Sequence, residues 1–519
     1  MINRKQCRVF AAVMCTLFFT GMLSLAQGSA ELRIAVNSPE NLNPVLDTSD
    51  PGILFNRMIY DYLIDIAPDG TLIPNLASGY TVSDDGLTYT FTLVQGVQFH
   101  DGSAFDSSDA AFSFEFLREA GSPALNLLGR DYTVSAPDAY TLVLSLPTPN
   151  ADFIYGVASR WSFMLPGGQQ NPNVLAEGDA PLTNFNGTGA FVLQSYSPGE
   201  NAVFVKNESY FRAGQPLLDQ VTHIYIEDQQ AQIDALRSGT VDFIFKIPFD
   251  RADELEAEPS INLQVVATNQ HPVIRIRADE GSLGEDVRVR QAFKYATDRE
   301  LLNLDLFDGR AAVGNNDPIG PKYGPLFNST LENQPYNPQM ACQLLADAGY
   351  PQGLGSDTPL EFYVVDAFNY QDMAILLRDM WREGCINVEI LMRPENIYYG
   401  NNEWIDVQLG VTGWGDRPIA QQLLVEAYVT SALPENDGFN ESHWSNAELD
   451  DLVAQAGVIS SIEERAAIYA RIAEIFRDDG PIIVPFFAPI VGATSTRVQG
   501  LELNPFPGST DLRLVSVEG

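Results

Sequence analysis

The chain is poor in histidine, cysteine and basic side chains, and each shortage removes a class of function. Its 519 residues include four histidines, His100, His223, His271 and His443, and no two stand at the spacing that puts ligands on one helical face. Without a His-Glu-x-x-His segment a zinc hydrolase has no footing, and a bare nickel site would equally need clustered imidazoles. No Gly-x-Ser-x-Gly elbow occurs, which removes the serine esterases built on that turn. The nearest approach to a phosphate loop, GNNDPIGPK at 314–322, has the wrong glycine spacing and no Ser or Thr after its lysine. Carboxylates are so numerous that a glycosidase pair can be neither singled out nor dismissed, so a secreted hydrolase stays open as a rival class.

Thirty Lys and Arg stand against 68 Asp and Glu, a net charge of -38. Nucleic acid and anionic lipid are poor partners for such a field. An acidic surface that keeps an exported protein soluble accounts for the charge without any partner. Arg4, Lys5 and Arg8 precede an apolar run at 9–25, and the small residues Gly28 and Ala30 follow. This is the pattern of a secretory signal cut before Glu31. A membrane anchor competes, but the run is short and broken by Gly21 and Ser24. Met14 ahead of Cys15 does not suit a lipid-modified exit site, so no lipid anchor is expected. No later segment is apolar enough to span a bilayer. Only Cys342 and Cys385 then remain, too few for a disulfide scaffold.

The length exceeds what one core organises, so two or more lobes are expected. In SDDGLTYTFTLVQGVQFHDG, residues 83–102, Leu87, Tyr89, Phe91 and Leu93 share one face of a predicted strand, with threonines opposite. His100 has the other parity, beside an Asp-Gly turn, and reads as a turn or surface residue. Asn337-Pro338 opens a predicted helix carrying Ala341, Leu344, Leu345 and Ala348, stopped by Gly349. A strand at 360–365, a helix at 371–383 and a strand at 387–391 follow, a run consistent with parallel pairing. On this reading Cys342 and Cys385 lie at opposite ends of two helices running the same way, and free thiols are expected. Ser445-x-x-Glu448 and Ser461-x-x-Glu464 read as capping boxes ahead of apolar helical stripes.

Taken in order, LNP (42–44), IYDYL (59–63), PNLASGY (74–80), the 83–105 stretch, NGTGAFVL (186–193), ALRSGTVDF (235–243), VRVRQAFKYATDRELL (287–302), YNPQMACQLLADAGYPQG (336–353), TGWGDRP (412–418) and HWSNAELDDL (443–452) resemble the family 5 extracellular solute-binding proteins. That family comprises dipeptide, oligopeptide and nickel receptors of ATP-driven importers. The resemblance implies an α/β fold of the two-lobed periplasmic-binding-protein type (type II, Venus-flytrap) with an extra inserted domain. It implies a base lobe at 31–63, 185–269 and 490–519, an inserted domain at 64–184 and a second lobe at 270–489. Hinge crossings fall near 269–273 and 486–491. It further implies a monomeric periplasmic receptor that needs no cofactor or metal, binds a short peptide or related small charged solute, and hands it to the membrane subunits of an ABC permease. Oligosaccharide and opine-type solutes remain alternatives within the family.

Candidate ligand contacts gather on TGWGDRP, after a strand-like stretch at 406–411, because loops at strand ends are where open α/β sheets place ligands. In peptide-binding relatives an aspartate in the matching loop pairs with the peptide α-ammonium, and Asp416 is the matching position here. Arg417 either neutralises Asp416 or grips a ligand carboxylate with two prongs. Trp414, Trp161 and Trp444 either fill core or offer flat platforms to a side chain or a sugar face, with Trp404 joining them in the sugar case. Asn37, at the end of the first strand, and Asn440 complete the candidates as amide contacts from the two sides.

Overall fold

A computed structural model of the chain describes residues 30–39, 41–167, 185–366, 370–400, 402–436 and 438–518. The expected signal segment, apart from Ala30, lies outside the described residues.

Three larger sheets organise them. A seven-stranded sheet runs in the spatial order Ile261–Val266, Ile490–Ser495, Phe243–Ile244, Glu31–Val36, Gln220–Tyr225, Asn201–Lys206 and Phe191–Ser197. Its centre, Glu31–Val36, is parallel to both neighbours and buried on both faces. Leu32, Ile34 and Val36 enter one core while Ala35 enters the other, as the two-residue period of a strand requires. A five-stranded sheet takes the order Val388–Arg393, Leu360–Val365, Leu409–Trp414, His271–Ile276 and Ile482–Ile483, with the first three strands parallel. A four-stranded antiparallel sheet combines Ala77–Val82, Thr88–Leu93, Thr141–Ser145 and Thr133–Asp138. The seven- and four-stranded sheets share one hydrophobic core, which runs without a break from Leu32 through Phe91, Phe114 and Phe153 to Val515. The five-stranded sheet has separate cores on its two faces, one around Ile274, Phe362 and Trp381 and one around Val273, Leu424 and Phe476.

The chain passes between the seven- and five-stranded sheets at 267–270 and again at 488–489. The two passages bond to each other: Ala488 N–H donates to Gln270 O at 2.9 Å, and the Thr268 hydroxyl donates to Ala488 O at 2.7 Å. Beyond them the bodies also touch on their flanks. Arg465 makes a two-pronged, buried pair with Asp152 at 2.9 and 3.0 Å, and Arg310 reaches Asp253 and Glu256 at 2.6 and 3.0 Å.

Local patterning carried through where one face was buried. Tyr89, Phe91 and Leu93 point inward from Thr88–Leu93. Asn337 caps Pro338–Asp347 by accepting from Met340 N–H, and Ser461 caps Ile462–Asp478 by accepting from Glu464 N–H. His100 is half-buried and bonds through Nε2 to Gly189 O at 3.0 Å, tying the hairpin to its neighbour.

Three expectations are corrected. The helix at Ala447–Ala456 is capped by Asn446, not Ser445, because the Ser445 hydroxyl pairs with Thr430 Oγ1 at 2.7 Å. The strand before TGWGDRP begins at Leu409, so Trp414 is its last residue and Asp406 closes a short helix instead. Cys342 and Cys385 are not free thiols but form a disulfide with Cα atoms 5.1 Å apart. The long connection at 348–359 lets the first helix turn its N-terminal end onto the C-terminal end of the second. Ala341 Cβ there lies 3.4 Å from where a Cβ on Gly384 would sit.

His223 supplies a pH dependence. It is fully buried against Phe204, its ring nitrogens have no hydrogen-bond partner, and burial lowers its pKa to about 3. Because the folded-state pKa lies below the unfolded one, this contribution to stability is complete above about pH 6.5 and is lost as the pH falls towards 3, by about 1.4 kcal/mol per pH unit. In His223→Phe, urea unfolding at pH 7, 5 and 4 should show a shallower acid loss by that slope. Parallel acid limbs for the two proteins would contradict the assignment.

Candidate functional site

Between the sheets lies a cavity of about 440 Å³, lined by Arg57 and Tyr62, by Arg160 and Trp161, by Asn269, by Lys322, Tyr323, Asp416 and Arg417, and by Phe506. It takes wall from both bodies and from the passage between them. Its size falls in the range of small-molecule sites.

The floor on the five-stranded side begins with a buried ion pair. Arg275 sits in His271–Ile276, a strand with no exposed position, and is itself 0% exposed. Its Nε lies 2.8 Å from Glu441 Oε2, itself buried. Arg275 fits only because Gly410 is opposite: a Cβ there would lie 2.1 Å from Nη1. Glu441 in turn accepts from the Thr412 hydroxyl at 2.6 Å and from Trp414 Nε1 at 3.2 Å. The Trp414 ring is thereby fixed, and the Arg417 guanidinium lies over it, 5.5 Å from the centroid. Burial pushes the Glu441 carboxyl up, opposed by Arg275.

Asp416 follows the strand and is almost fully enclosed. Its Oδ2 lies 3.0 Å from Lys322 Nζ. Oδ1 has no well-aligned donor, although the backbone amides of Asn269 and Arg417 are close enough to favour its charge. Burial raises the Asp416 carboxyl and lowers the Lys322 ammonium, and each partner offsets the other's shift. Lys322 Nζ also rests 4.9 Å from the Phe506 ring centroid. The segment carrying Lys322, GNNDPIGPK, is packed on the passage between the sheets: Lys322 N–H donates to Asn269 Oδ1 at 3.2 Å, and a Cβ on Gly320 would lie 2.5 Å from that oxygen.

Arg417 does not pair with the Asp416 carboxylate. Its Nε donates to Glu426 Oε2 at 3.1 Å, and Nη1 reaches Gly415 O and Asp416 O only at 3.3 and 3.4 Å. On the opposite wall Arg160 donates to Thr48 O at 2.9 Å and lies 3.3 Å from Asp50, leaving its buried Nε without a partner. The Arg160 guanidinium also lies over Trp161, whose Nε1 is anchored on Asp47 O at 2.7 Å. Arg57 lines the same wall, 3.5 Å from Asp65.

Of the candidates read from sequence, Asp416, Arg417 and Trp161 line the cavity. Trp414 lies beneath Arg417 in the core, 8% exposed. Trp444 is packed on Phe476, and Trp404 lies between Tyr399 and Phe439. Asn440 is fully buried and donates to Trp444 O at 2.8 Å, while Asn37 bonds to Glu227 at 2.9 Å away from the cavity wall. Sequence reading missed Lys322, Arg160 and Phe506. Arg160 adjoins the singled-out Trp161. Lys322 lay in a segment weighed only as a phosphate loop. Among the described residues no group of three or more His, Cys, Asp or Glu could hold a metal ion, and no helix is long and apolar enough to cross a membrane.

Residues 71–432 match the profile of the bacterial extracellular solute-binding proteins, family 5 middle region. Heme-binding protein A of Haemophilus influenzae is 26% identical over 89% of this chain and 88% of its own. Glutathione-binding protein GsiB of Escherichia coli K12 is 25% identical over 94% of both chains. In fold, the chain is similar to HbpA2 from Haemophilus parasuis, with a TM-score of 0.81 at 24% identity over 94% of this chain and 100% of that one. The ABC transporter substrate-binding protein CtaP of Listeria monocytogenes gives 0.80 at 23% identity over 95% and 100%.

Proposed function

The chain belongs to the family 5 bacterial extracellular solute-binding proteins, and from that premise we propose that it captures a short peptide or related small charged solute in the 440 Å³ cavity. It then delivers the solute unchanged to the membrane subunits of an ABC permease. The observation that carries this reading is the wall itself: charged groups from both bodies, Arg160 on one side and Arg417 with the Lys322–Asp416 pair on the other, line one partly open cleft. A ligand touching both walls binds the closed arrangement better than an open one, and that difference is what drives closure. Opening would separate Asp152 from Arg465 and Arg310 from its acidic partners. The glutathione-binding relative supports a peptide-like solute. The protein works as a monomer outside the cytoplasmic membrane, exported by the signal at 1–30, with the lobes divided at 63/64, 184/185, 269/270 and 489/490.

The test is calorimetric titration of the mature protein, refolded to strip carried-over ligand, against tri- and tetrapeptides and against oligosaccharides, with mass spectrometry of the recovered ligand. One-to-one binding of peptides returned intact is expected, and ligand at a hundred times its Kd should add about 2.7 kcal/mol of stability. Cleavage of the peptide would replace this reading with a hydrolase. Binding of oligosaccharides alone would move the solute class to sugars.

A further inference from the structure

We propose that Lys322 is a built-in ammonium occupying the cation place beside Asp416, so that the cleft holds its ligand through a carboxylate or similar acceptor and not through a free amino group. The inference rests on the cleft-binding reading above and narrows its ligand class.

The Lys322–Asp416 contact is 3.0 Å long, with side chains only 17% and 5% exposed. A ligand ammonium reaching the Asp416 carboxylate must either push Nζ away or share the carboxylate with it. The first leaves a desolvated lysine over the Phe506 face without a counter-ion, and the second, even through the unpaired Oδ1, holds two like charges around one carboxylate. Both arrangements are costly in an enclosed site. The lysine is held beside the carboxylate by its own backbone, because Lys322 N–H and Gly320 are packed on Asn269 in the passage between the sheets.

Most of the other polar groups lean the same way. Glu426, the other acid near Arg417, has both oxygens engaged, Oε2 by Arg417 and Oε1 by Gln422 Nε2 at 2.8 Å, while Asp69, the remaining acid on the wall, is exposed and accepts from Thr71 N–H at 2.9 Å. Guanidinium donors are in surplus. Arg160 Nε is buried without a partner, Arg417 meets Glu426 through a single nitrogen, and Arg57 reaches Asp65 only at 3.5 Å. All three guanidinium groups lie over aromatic rings, Arg57 over Tyr62, Arg160 over Trp161 and Arg417 over Trp414, and a planar guanidinium suits a flat two-oxygen acceptor. Because Arg160 and Arg417 stand on opposite walls, an acceptor shared between them would also favour the closed arrangement.

The experiment titrates each tripeptide of a panel in free, N-acetylated and C-amidated forms into wild type and Lys322→Met. In the wild type, N-acetylation should change Kd by less than about threefold, and amidation should weaken binding at least about tenfold. In Lys322→Met, Asp416 loses its internal partner, and free-amine peptides should gain at least about tenfold over their acetylated forms. Loss of wild-type binding on acetylation, with Lys322→Met showing the same preference, overturns the inference and leaves the cleft-binding reading standing. Failure of all three forms to bind the wild type overturns both. Circular dichroism of Lys322→Met separates a changed preference from a misfolded cleft, and Lys322→Arg, which keeps the charge, should retain the wild-type preference.

Discussion

Glu441→Ala should lower the stability of the protein by about 3–5 kcal/mol, because it leaves the Arg275 guanidinium buried with no counter-charge. Arg275 is 0% and Glu441 3% exposed at the side chain, so water cannot take over the lost contact. Gly410 and Tyr398 confine the guanidinium further: a Cβ at Gly410 would come within 2.1 Å of Arg275 Nη1 and 2.6 Å of the Tyr398 hydroxyl. The loss should appear as a lower urea midpoint at unchanged slope. The double variant Arg275→Met/Glu441→Gln should recover most of it, since it removes both buried charges while the Gln oxygen still accepts from Thr412 and Trp414. The damage should also reach the cleft. Glu441 holds Trp414 Nε1, and Trp414 carries Arg417. A single variant as stable as wild type would show that the pair does not support the floor.

Removing the disulfide should cost about 4 kcal/mol, the loop-closure value for a bridge that spans 43 residues. The effect should be read with Cys342→Ser/Cys385→Ser, or with dithiothreitol on the wild type, and the two treatments should lower the urea midpoint alike. The bond joins the helix Pro338–Asp347 to the end of Tyr370–Glu383 on the side of the second sheet away from the cavity wall. Ligand affinity should therefore survive in conditions where the reduced protein remains folded. Equal stability of oxidised and reduced forms would contradict the account. A bridge of this kind also fits an exported protein, because it persists in an oxidising compartment.

How much could be read beforehand depended on whether a feature was local. Thr88–Leu93, the Asn337 and Ser461 caps and the strand Leu360–Val365 follow from periodicity and capping chemistry within a few residues, and the structure has them in place. The Ser445 cap slipped by one residue because Thr430, distant in sequence, competes for its hydroxyl. The cysteine pair was misread because helix direction was inferred from strand order, while the connection at 348–359 is long enough to reorient the helix. The cleft divides in the same manner. The TGWGDRP loop was legible from its turn residues, yet nothing near Asp416 announces Lys322, which lies 94 residues away and meets it only when the passage at Asn269 is folded. Trp414, read from its loop as either core or platform, and Asn440, read from position alone as a ligand contact, are packed as supports: the ring lies under Arg417, and the amide ties Trp444 and Val429 together.

The central claim is that the cleft between the bodies holds a small acceptor-bearing solute through groups on both walls. The most direct test is calorimetric titration of the stripped mature protein with the peptide panel, repeated for Arg160→Ala and Arg417→Ala. The account predicts one site per chain, a negative heat-capacity change from burial of apolar wall, and a loss of at least about tenfold in affinity for each variant. Unchanged affinity in both variants, with binding still one to one, would place the solute elsewhere and contradict the account.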